Sequence, residues 1–109
     1  MKILCLCQKG NSRSVALAWY FKMEHKSHHE AIAAGMVTTA RSTRNMLYKW
    51  SDLIILVAPQ YRHWIPEQYD DKVLVWNVGT DRFFRGFSEE LLDMYRKFVT
   101  SELKLVGEN

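Results

Sequence analysis

The chain has 109 residues, of which 48% are hydrophobic and 25% are charged. These values are ordinary for a soluble globular protein, and they exclude collagen-like, low-complexity and intrinsically disordered chains. The net charge of +3 is weak support for nucleic-acid binding. The longest apolar runs are much shorter than a membrane span, and the first residues lack the features of a signal peptide. We therefore expect a cytoplasmic protein, with no membrane partner, in which residues 1–109 form one domain.

The first half of the chain alternates between apolar strands and amphipathic helices. Lys2–Leu6 is a short apolar run before a polar turn, which predicts a buried strand, and Ser14–Met23 has the broad apolar face of a helix. Glu30–Ala34 is a possible second strand, although its alanines also suit a helix. Ser42–Trp50 predicts a second helix, and the continuous apolar run Asp52–Val57 predicts a third strand.

The second half continues this alternation. Gln60–Ile65 predicts one or two helical turns before Pro66, and Tyr69–Asp71 predicts a turn. Lys72–Val78 is the fourth apolar strand. Ser88 is a favourable N-cap, and the acidic and apolar residues that follow it predict the last helix.

Alternating strands and helices indicate an α/β fold with a parallel sheet. We expect a three-layer sandwich: a four-stranded parallel sheet in the order 2-1-3-4, with helices on both faces. Ligands of such sheets bind beyond the carboxyl ends of the strands. That rule selects the segments Cys7–Ser14, Gly35–Thr38, Ala58–Trp64 and Gly79–Gly86. Asp52 lies at the opposite edge and is a poor candidate for chemistry.

The first of these segments carries the pattern of an anion site. Cys7 is followed by five residues and then by Arg13 and Ser14, between a strand and a helix. A loop that curls around a helix N-terminus points backbone N–H groups inward, where they bind an anion and favour a thiolate. Arg13 would add a bidentate contact, Ser14 a hydroxyl for the sulfur, and Gly10 a position free to take positive φ. The phosphate-binding residues we expect are Gln8, Lys9, Gly10, Asn11, Ser12, Arg13 and Ser14.

This loop resembles that of the low-molecular-weight protein tyrosine phosphatases, in particular a short intracellular branch of that superfamily. The similarity extends over about residues 2–100 and includes Ala33–Gly35, Lys49–Val57 and Asp81-Arg82-Phe83-Phe84. Three positions depart from the family pattern, and one of them is Arg82, which stands where the family usually has Pro. Gly10 stands where the family has an Asn that braces the loop, and Ser12 stands where it often has a second Cys.

The resemblance implies hydrolysis of a phosphate monoester, such as phosphotyrosine, without metal or cofactor. Cys7 would attack phosphorus and form a phosphocysteine, while Arg13 and the loop amides bind the phosphoryl oxygens. Asp81 would protonate the leaving oxygen and later activate water. Phe83 and Phe84 would flank the aromatic ring of the substrate. The implied partner is a phosphorylated protein or a small phosphate monoester.

Other functions stay open at this point. A non-catalytic phosphate- or phosphopeptide-binding module would keep the loop without turnover. A phosphoryl carrier of the sugar-transport IIB type has a similar fold and cysteine loop, but it lacks the Arg and the late Asp. Side chains expected around the cleft, Arg41, Arg44, Arg62, Arg82 and Arg85, would also suit a nucleotide or an RNA end. Residues that follow the third strand, Tyr61, His63 and Trp64, are placed to line its mouth. Nothing in the sequence indicates an oligomeric state.

Overall fold

The computed structural model describes residues 1–10, 12–24, 29–79 and 88–102. Four strands lie within these ranges: β1 (Lys2–Cys7), β2 (Glu30–Gly35), β3 (Leu53–Leu56) and β4 (Val73–Val75). The α-helices are α1 (Arg13–Trp19), α2 (Arg41–Trp50) and α3 (Glu89–Glu102), and two 3₁₀ helices span Pro59–Trp64 and Glu67–Lys72. In these ranges no helix has the length and apolar character needed to cross a bilayer.

The strands form one parallel sheet in the order β2-β1-β3-β4, as predicted. The central strand β1 pairs on both sides: Ile3 lies opposite Ala31 of β2 and Leu53 of β3. Glu30–Gly35 is a strand rather than a helix because its backbone completes this ladder. The carboxyl ends of β1, β2 and β3 consequently meet at one edge of the sheet.

Each face of the sheet is covered by helices, because alternate strand residues point to opposite sides. One core places Ile3, Cys5 and Cys7 of β1 against α1 and α3. The other places Leu4 and Leu6 against α2 and the residues that follow β3. The predicted three-layer α/β sandwich is therefore confirmed.

Several element boundaries differ from the sequence prediction. The first helix ends at Trp19 and continues as a π-helical turn, Tyr20–Glu24. The wider turn lets the adjacent rings of Tyr20 and Phe21 both lie in the core, with their centroids 5.7 Å apart. Tyr69–Asp71 belongs to a 3₁₀ helix rather than a simple turn.

The fourth strand is shorter than its apolar run. It was expected over Lys72–Val78, but it spans only Val73–Val75, because Lys72 belongs to the preceding 3₁₀ helix and β3 ends at Leu56, opposite Val75. The N–H of Trp76 still donates to the carbonyl of Leu56 at 2.9 Å, so the chain stays aligned for one more residue. Beyond it the backbone leaves the sheet toward the edge where β1 ends.

Candidate active site

The segment Cys7–Ser14, here called the cradle loop, joins the end of β1 to α1. Cys7 is only 1% exposed. Its Sγ accepts a hydrogen bond from the backbone N–H of Gly10 at 3.1 Å and lies 3.1 Å from Oγ of Ser14. The sulfur thus has a backbone N–H and a hydroxyl group within hydrogen-bond distance.

Gly10 gives the loop its curvature. Its φ is 74°, in the region that favours glycine, as the sequence predicted. A Cβ on Gly10 would lie 2.5 Å from the backbone nitrogen of Gly35, and a Cβ on Gly35 would lie 2.3 Å from the carbonyl carbon of Lys9. The cradle loop and the end of β2 therefore touch backbone to backbone, without room for a side chain on either glycine.

Arg13 is held at the base of the loop and is 2% exposed. Its Nη1 donates to the carbonyl oxygens of Val57 at 3.3 Å and Gly79 at 3.1 Å. Its own carbonyl accepts a 2.7 Å hydrogen bond from the hydroxyl of Tyr95 in α3. These contacts fix the positions of the Arg13 guanidinium and of the first residue of α1. The positive charge of Arg13 is therefore held in the same loop as the Cys7 sulfur.

The residues Met36–Thr39, here called the backing segment, support the loop from the β2 side. The N–H groups of Met36 and Val37 donate to the carbonyls of Cys7 and Gln8 at 2.8 and 2.9 Å. Oγ1 of Thr38 donates to the carbonyl of Lys9 at 2.9 Å. Three successive carbonyls of the cradle loop therefore point outward, as they must when a loop turns its N–H groups toward an anion.

Cys5 has a different environment from Cys7. It is fully buried among apolar side chains, as the sequence predicted. Burial strongly raises the pKa of its thiol, and the neighbouring Cys7 raises that pKa further. Cys5 is therefore a neutral core residue and not a second nucleophile.

Aromatic side chains after β3 lie near the same edge. The exposed ring of Trp64 packs against Tyr61, with the ring centroids 4.9 Å apart. The guanidinium of Arg44 in α2 lies over the Trp64 ring, 5.4 Å from its centroid. Arg62, unlike Arg44, forms an ion pair, in which its Nη2 lies 2.5 Å from Oδ1 of Asp70.

The structure brings together Cys7, Gly10, Arg13 and Ser14, the central residues of the predicted site. Asp81, Phe83 and Phe84 lie outside the described residues, as does Asn11 of the loop. At the opposite edge, Asp52 accepts a 2.8 Å hydrogen bond from the Lys2 N–H, as expected for a structural role. The described ranges hold no group of three His, Cys, Asp or Glu side chains suited to a metal ion.

Sequence reasoning missed two supports of the loop. The segment Gly35–Thr38 was placed at the correct edge, but its hydrogen bonds to the loop carbonyls were not foreseen. Tyr95 was recognised only as part of the apolar face of the last helix. Its hydroxyl reaches a carbonyl 82 residues earlier in the chain, a pairing for which the sequence has no local signal.

No protein-family profile matches the chain, and no curated protein matches it in sequence. Solved structures do match. The YwlE arginine phosphatase from Geobacillus stearothermophilus aligns over 99% of both chains with a TM-score of 0.65 and 14% identity. A YwlE mutant from Bacillus subtilis aligns over 95% of this chain and 99% of its own, with a TM-score of 0.60 and 17% identity.

A third structure is a mutant YwlE arginine phosphatase with a phosphorylated active-site serine. It aligns over 96% of this chain and 99% of its own, with a TM-score of 0.58 and 14% identity. Likeness at these identities concerns the fold, and it extends over nearly the whole of each chain. The protein therefore has the α/β fold of the low-molecular-weight phosphatases, the group that its cradle loop resembles in sequence.

Proposed function

We propose that this protein is a cysteine-dependent phosphatase that hydrolyses a phosphate monoester, with phosphotyrosine as the first candidate, through a phosphocysteine. The observation that carries the proposal is the surroundings of the Cys7 sulfur, with the Gly10 N–H and the Ser14 hydroxyl both 3.1 Å away. Arg13, buried on the same loop, supplies positive charge where a phosphoryl group would sit. Phosphatase neighbours of the same fold support this assignment.

The reaction proceeds in two steps. The thiolate of Cys7 attacks phosphorus in line, an S–P bond forms, and the bond from phosphorus to the leaving oxygen breaks. The loop amides and Arg13 bind the three equatorial oxygens, which carry the charge of the transition state. Asp81 gives its proton to the leaving oxygen. It then removes a proton from the water that breaks the S–P bond, releasing phosphate and restoring the thiolate.

A second candidate substrate is phosphoarginine. The neighbours that suggest it are arginine phosphatases. The nucleophile and cradle would act in the same way, but the bond that breaks would join phosphorus to nitrogen. Phosphate release from matched phosphotyrosine and phosphoarginine peptides distinguishes the two substrates. In either case we place the substrate among phosphorylated proteins or small phosphate compounds of the cytoplasm.

The first test is release of p-nitrophenol from its phosphate ester with and without EDTA. We expect EDTA to have no effect, and Cys7→Ser to abolish turnover because a serine hydroxyl stays protonated in the cradle. Cys5→Ala is the matched control, since it removes the other sulfur of the same strand face, and it should keep turnover. Activity retained in Cys7→Ser would contradict the covalent mechanism.

The same experiment separates the alternative functions. A phosphoryl carrier would accumulate a stable phosphocysteine with less than one phosphate released per chain. A non-catalytic module would bind phosphate and release no p-nitrophenol. Mass spectrometry of the protein after mixing with substrate identifies either outcome.

The role of Asp81 is tested by varying the leaving group. If it is the general acid, Asp81→Asn should lower kcat by roughly 100- to 10,000-fold for a poor leaving group such as tyrosine. The loss should shrink for p-nitrophenol, which needs little protonation. A loss that is equal across a series of aryl phosphates would show that Asp81 only maintains the shape of its loop.

A further inference from the structure

One arginine outside the cradle loop is bonded to the segment that supports it. Nη1 of Arg44 donates to the carbonyl of Met36 at 2.9 Å and to the carbonyl of Thr39 at 2.7 Å. These carbonyls belong to the first and last residues of the backing segment. Arg44 therefore closes that segment into a short arch, and the inner side of the arch bonds to the cradle loop.

In addition to its two hydrogen bonds, Arg44 has a third contact, with an aromatic ring. Its guanidinium lies over the Trp64 ring, and the edge of that ring meets Tyr61. A guanidinium is suited to this position because it combines a planar face for an aromatic ring with N–H groups for two carbonyls, whereas an ammonium group has no such face. The chain of contacts thus runs from the residues after β3, through α2, to the residues after β2.

The chain of contacts reaches the sulfur in two more steps. The backing segment binds the outward carbonyls of Cys7, Gln8 and Lys9. Gly10, the next residue, lies against Gly35 and donates its N–H to the sulfur. A shift of the backing segment therefore changes both the direction of the loop N–H groups and the hydrogen bond to the nucleophile.

We propose that Arg44 is a positioning residue, which acts through Met36–Thr39 to hold the cradle loop in its anion-binding shape. The inference rests on the proposed function for its effect on turnover, but not for its effect on anion binding. Arg44 makes its contacts from outside the cradle. Its loss should weaken phosphate binding and slow the reaction of the Cys7 thiol without unfolding the protein.

The test compares Arg44→Ala, Arg44→Lys and the control Lys49→Ala. Lys49 is exposed on the same helix, so its substitution removes the same charge without touching the backing segment. The readouts are inorganic phosphate binding by calorimetry, the rate of Cys7 alkylation by iodoacetamide, kcat and KM on p-nitrophenyl phosphate, and thermal unfolding. Mass spectrometry assigns the alkylated cysteine.

We expect Arg44→Ala to weaken phosphate binding and to slow alkylation by about tenfold each, and Lys49→Ala to change neither by more than about twofold. Arg44→Lys should recover only part of the loss, because the charge returns without the planar contact to Trp64. Equal losses in Arg44→Ala and Lys49→Ala would assign the effect to charge alone and overturn the proposal. A lowered melting temperature with unchanged phosphate binding and alkylation would also overturn it.

Two features keep the test decisive. If Arg44→Ala does not fold, Trp64→Leu removes only the stacked ring and should shift phosphate binding and alkylation in the same direction by a smaller factor. If the wild-type protein has no turnover, the proposed function fails, yet phosphate binding and alkylation still report on Arg44.

Discussion

Cys5 and Cys7 share one face of β1, but their sulfurs lie in different surroundings. Cys7 ends the strand, where the chain turns and the Gly10 N–H reaches its sulfur. Cys5 lies one step deeper, where apolar side chains surround it and raise its pKa. Two residues of separation thus divide the proposed nucleophile from a core side chain, because the polar loop begins at the end of the strand.

The buried thiol of Cys5 makes stability depend on pH in the alkaline range. Its folded-state pKa lies above the ordinary value of 9.0, so the folded protein holds a proton that the unfolded chain releases. The neutral thiol of Cys5 therefore contributes fully to the free energy of unfolding below pH 9. Above pH 9 this contribution falls by about 1.4 kcal/mol per pH unit. Tyr95, whose pKa burial also raises from 10.0, adds a second decline beginning one pH unit higher.

We therefore expect the free energy of unfolding to fall between pH 8 and 10, and to fall less steeply in Cys5→Ala. The variant loses some stability at pH 8 because it leaves a small cavity. Its deficit relative to wild type should narrow as the pH rises, since only the wild-type unfolded chain gains the ionised thiolate of Cys5. Urea denaturation of both proteins at several pH values measures this difference. A deficit that stays constant with pH would contradict the assignment.

At the scale of elements, the parts predicted from sequence are those determined by local pattern. Apolar runs located β1, β3 and β4, whereas β2 was only a possible strand whose alanines also suit a helix. The strand, polar turn and helix around Cys7 placed the candidate site. The positive φ of Gly10 also followed from its type. The π-helical turn at Tyr20 did not, because it depends on how two aromatic rings share space in the core.

Contacts between elements were the least predictable feature. The Arg44 guanidinium donates hydrogen bonds to the carbonyls of Met36 and Thr39, and the Tyr95 hydroxyl donates one to the carbonyl of Arg13. Nothing in the type of these residues specifies their partners, since many carbonyls accept equally well. Only the packing of α2 and α3 on opposite faces of the sheet brings donor and acceptor together.

The contact between the cradle loop and β2 gives an element-scale prediction. In Gly35→Ala the new Cβ would lie 2.3 and 2.5 Å from backbone atoms of Lys9 and 2.4 Å from Oγ1 of Thr38, and the backbone cannot move aside as the end of a flexible side chain could. We expect a stability loss of about 1–3 kcal/mol and weaker phosphate binding, because the loop must shift to make room. Thermal unfolding and phosphate calorimetry measure both effects.

Comparing Gly10→Ala with Gly10→Asn distinguishes the effect of the close Cβ contact with Gly35 from the effect of the positive φ. Asn tolerates positive φ better than Ala, but both add a Cβ that would meet the Gly35 nitrogen at 2.5 Å. If the close contact dominates, the two variants should lose similar amounts of stability and phosphate affinity. A variant with Asn that behaves like wild type would show that only the φ of Gly10 matters, and the prediction for Gly35→Ala would then lose its basis.

Over the whole molecule, charge is distributed unevenly between the two edges of the sheet. Three of the segments at the carboxyl edge, in their described parts within 7–14, 35–44 and 57–66, contain no Asp or Glu. Their cationic side chains are Lys9, Arg13, Arg41, Arg44 and Arg62, the last of which pairs with Asp70. Asp52 lies at the opposite edge, bonded to the Lys2 N–H. The edge that carries the proposed site therefore has a positive field, although the net charge of the chain is only +3.

This field predicts a preference among peptide substrates. A phosphorylated residue flanked by Asp and Glu should be hydrolysed with a kcat/KM about 3- to 10-fold higher than the same residue flanked by Lys and Arg. The preference should fall as salt is added, because exposed charges are screened over about 10 Å at 0.1 M salt. Small esters such as p-nitrophenyl phosphate have no flanking residues, so they give the rate of the chemistry without this contribution.

Two substitutions on α2 test where the field originates. Arg41 begins the helix near the carboxyl edge, whereas Lys49 lies in its last turn near the opposite edge, and both side chains are exposed. Arg41→Glu should reduce the preference for acidic peptides, and Lys49→Glu, with the same change of charge, should leave it nearly intact, because the two positions differ in distance from the site. If both variants reduce the preference equally, net charge and not the charge at this edge selects the substrate. If wild type shows no preference at any salt concentration, recognition is confined to the phosphorylated residue and the cradle loop that would bind it.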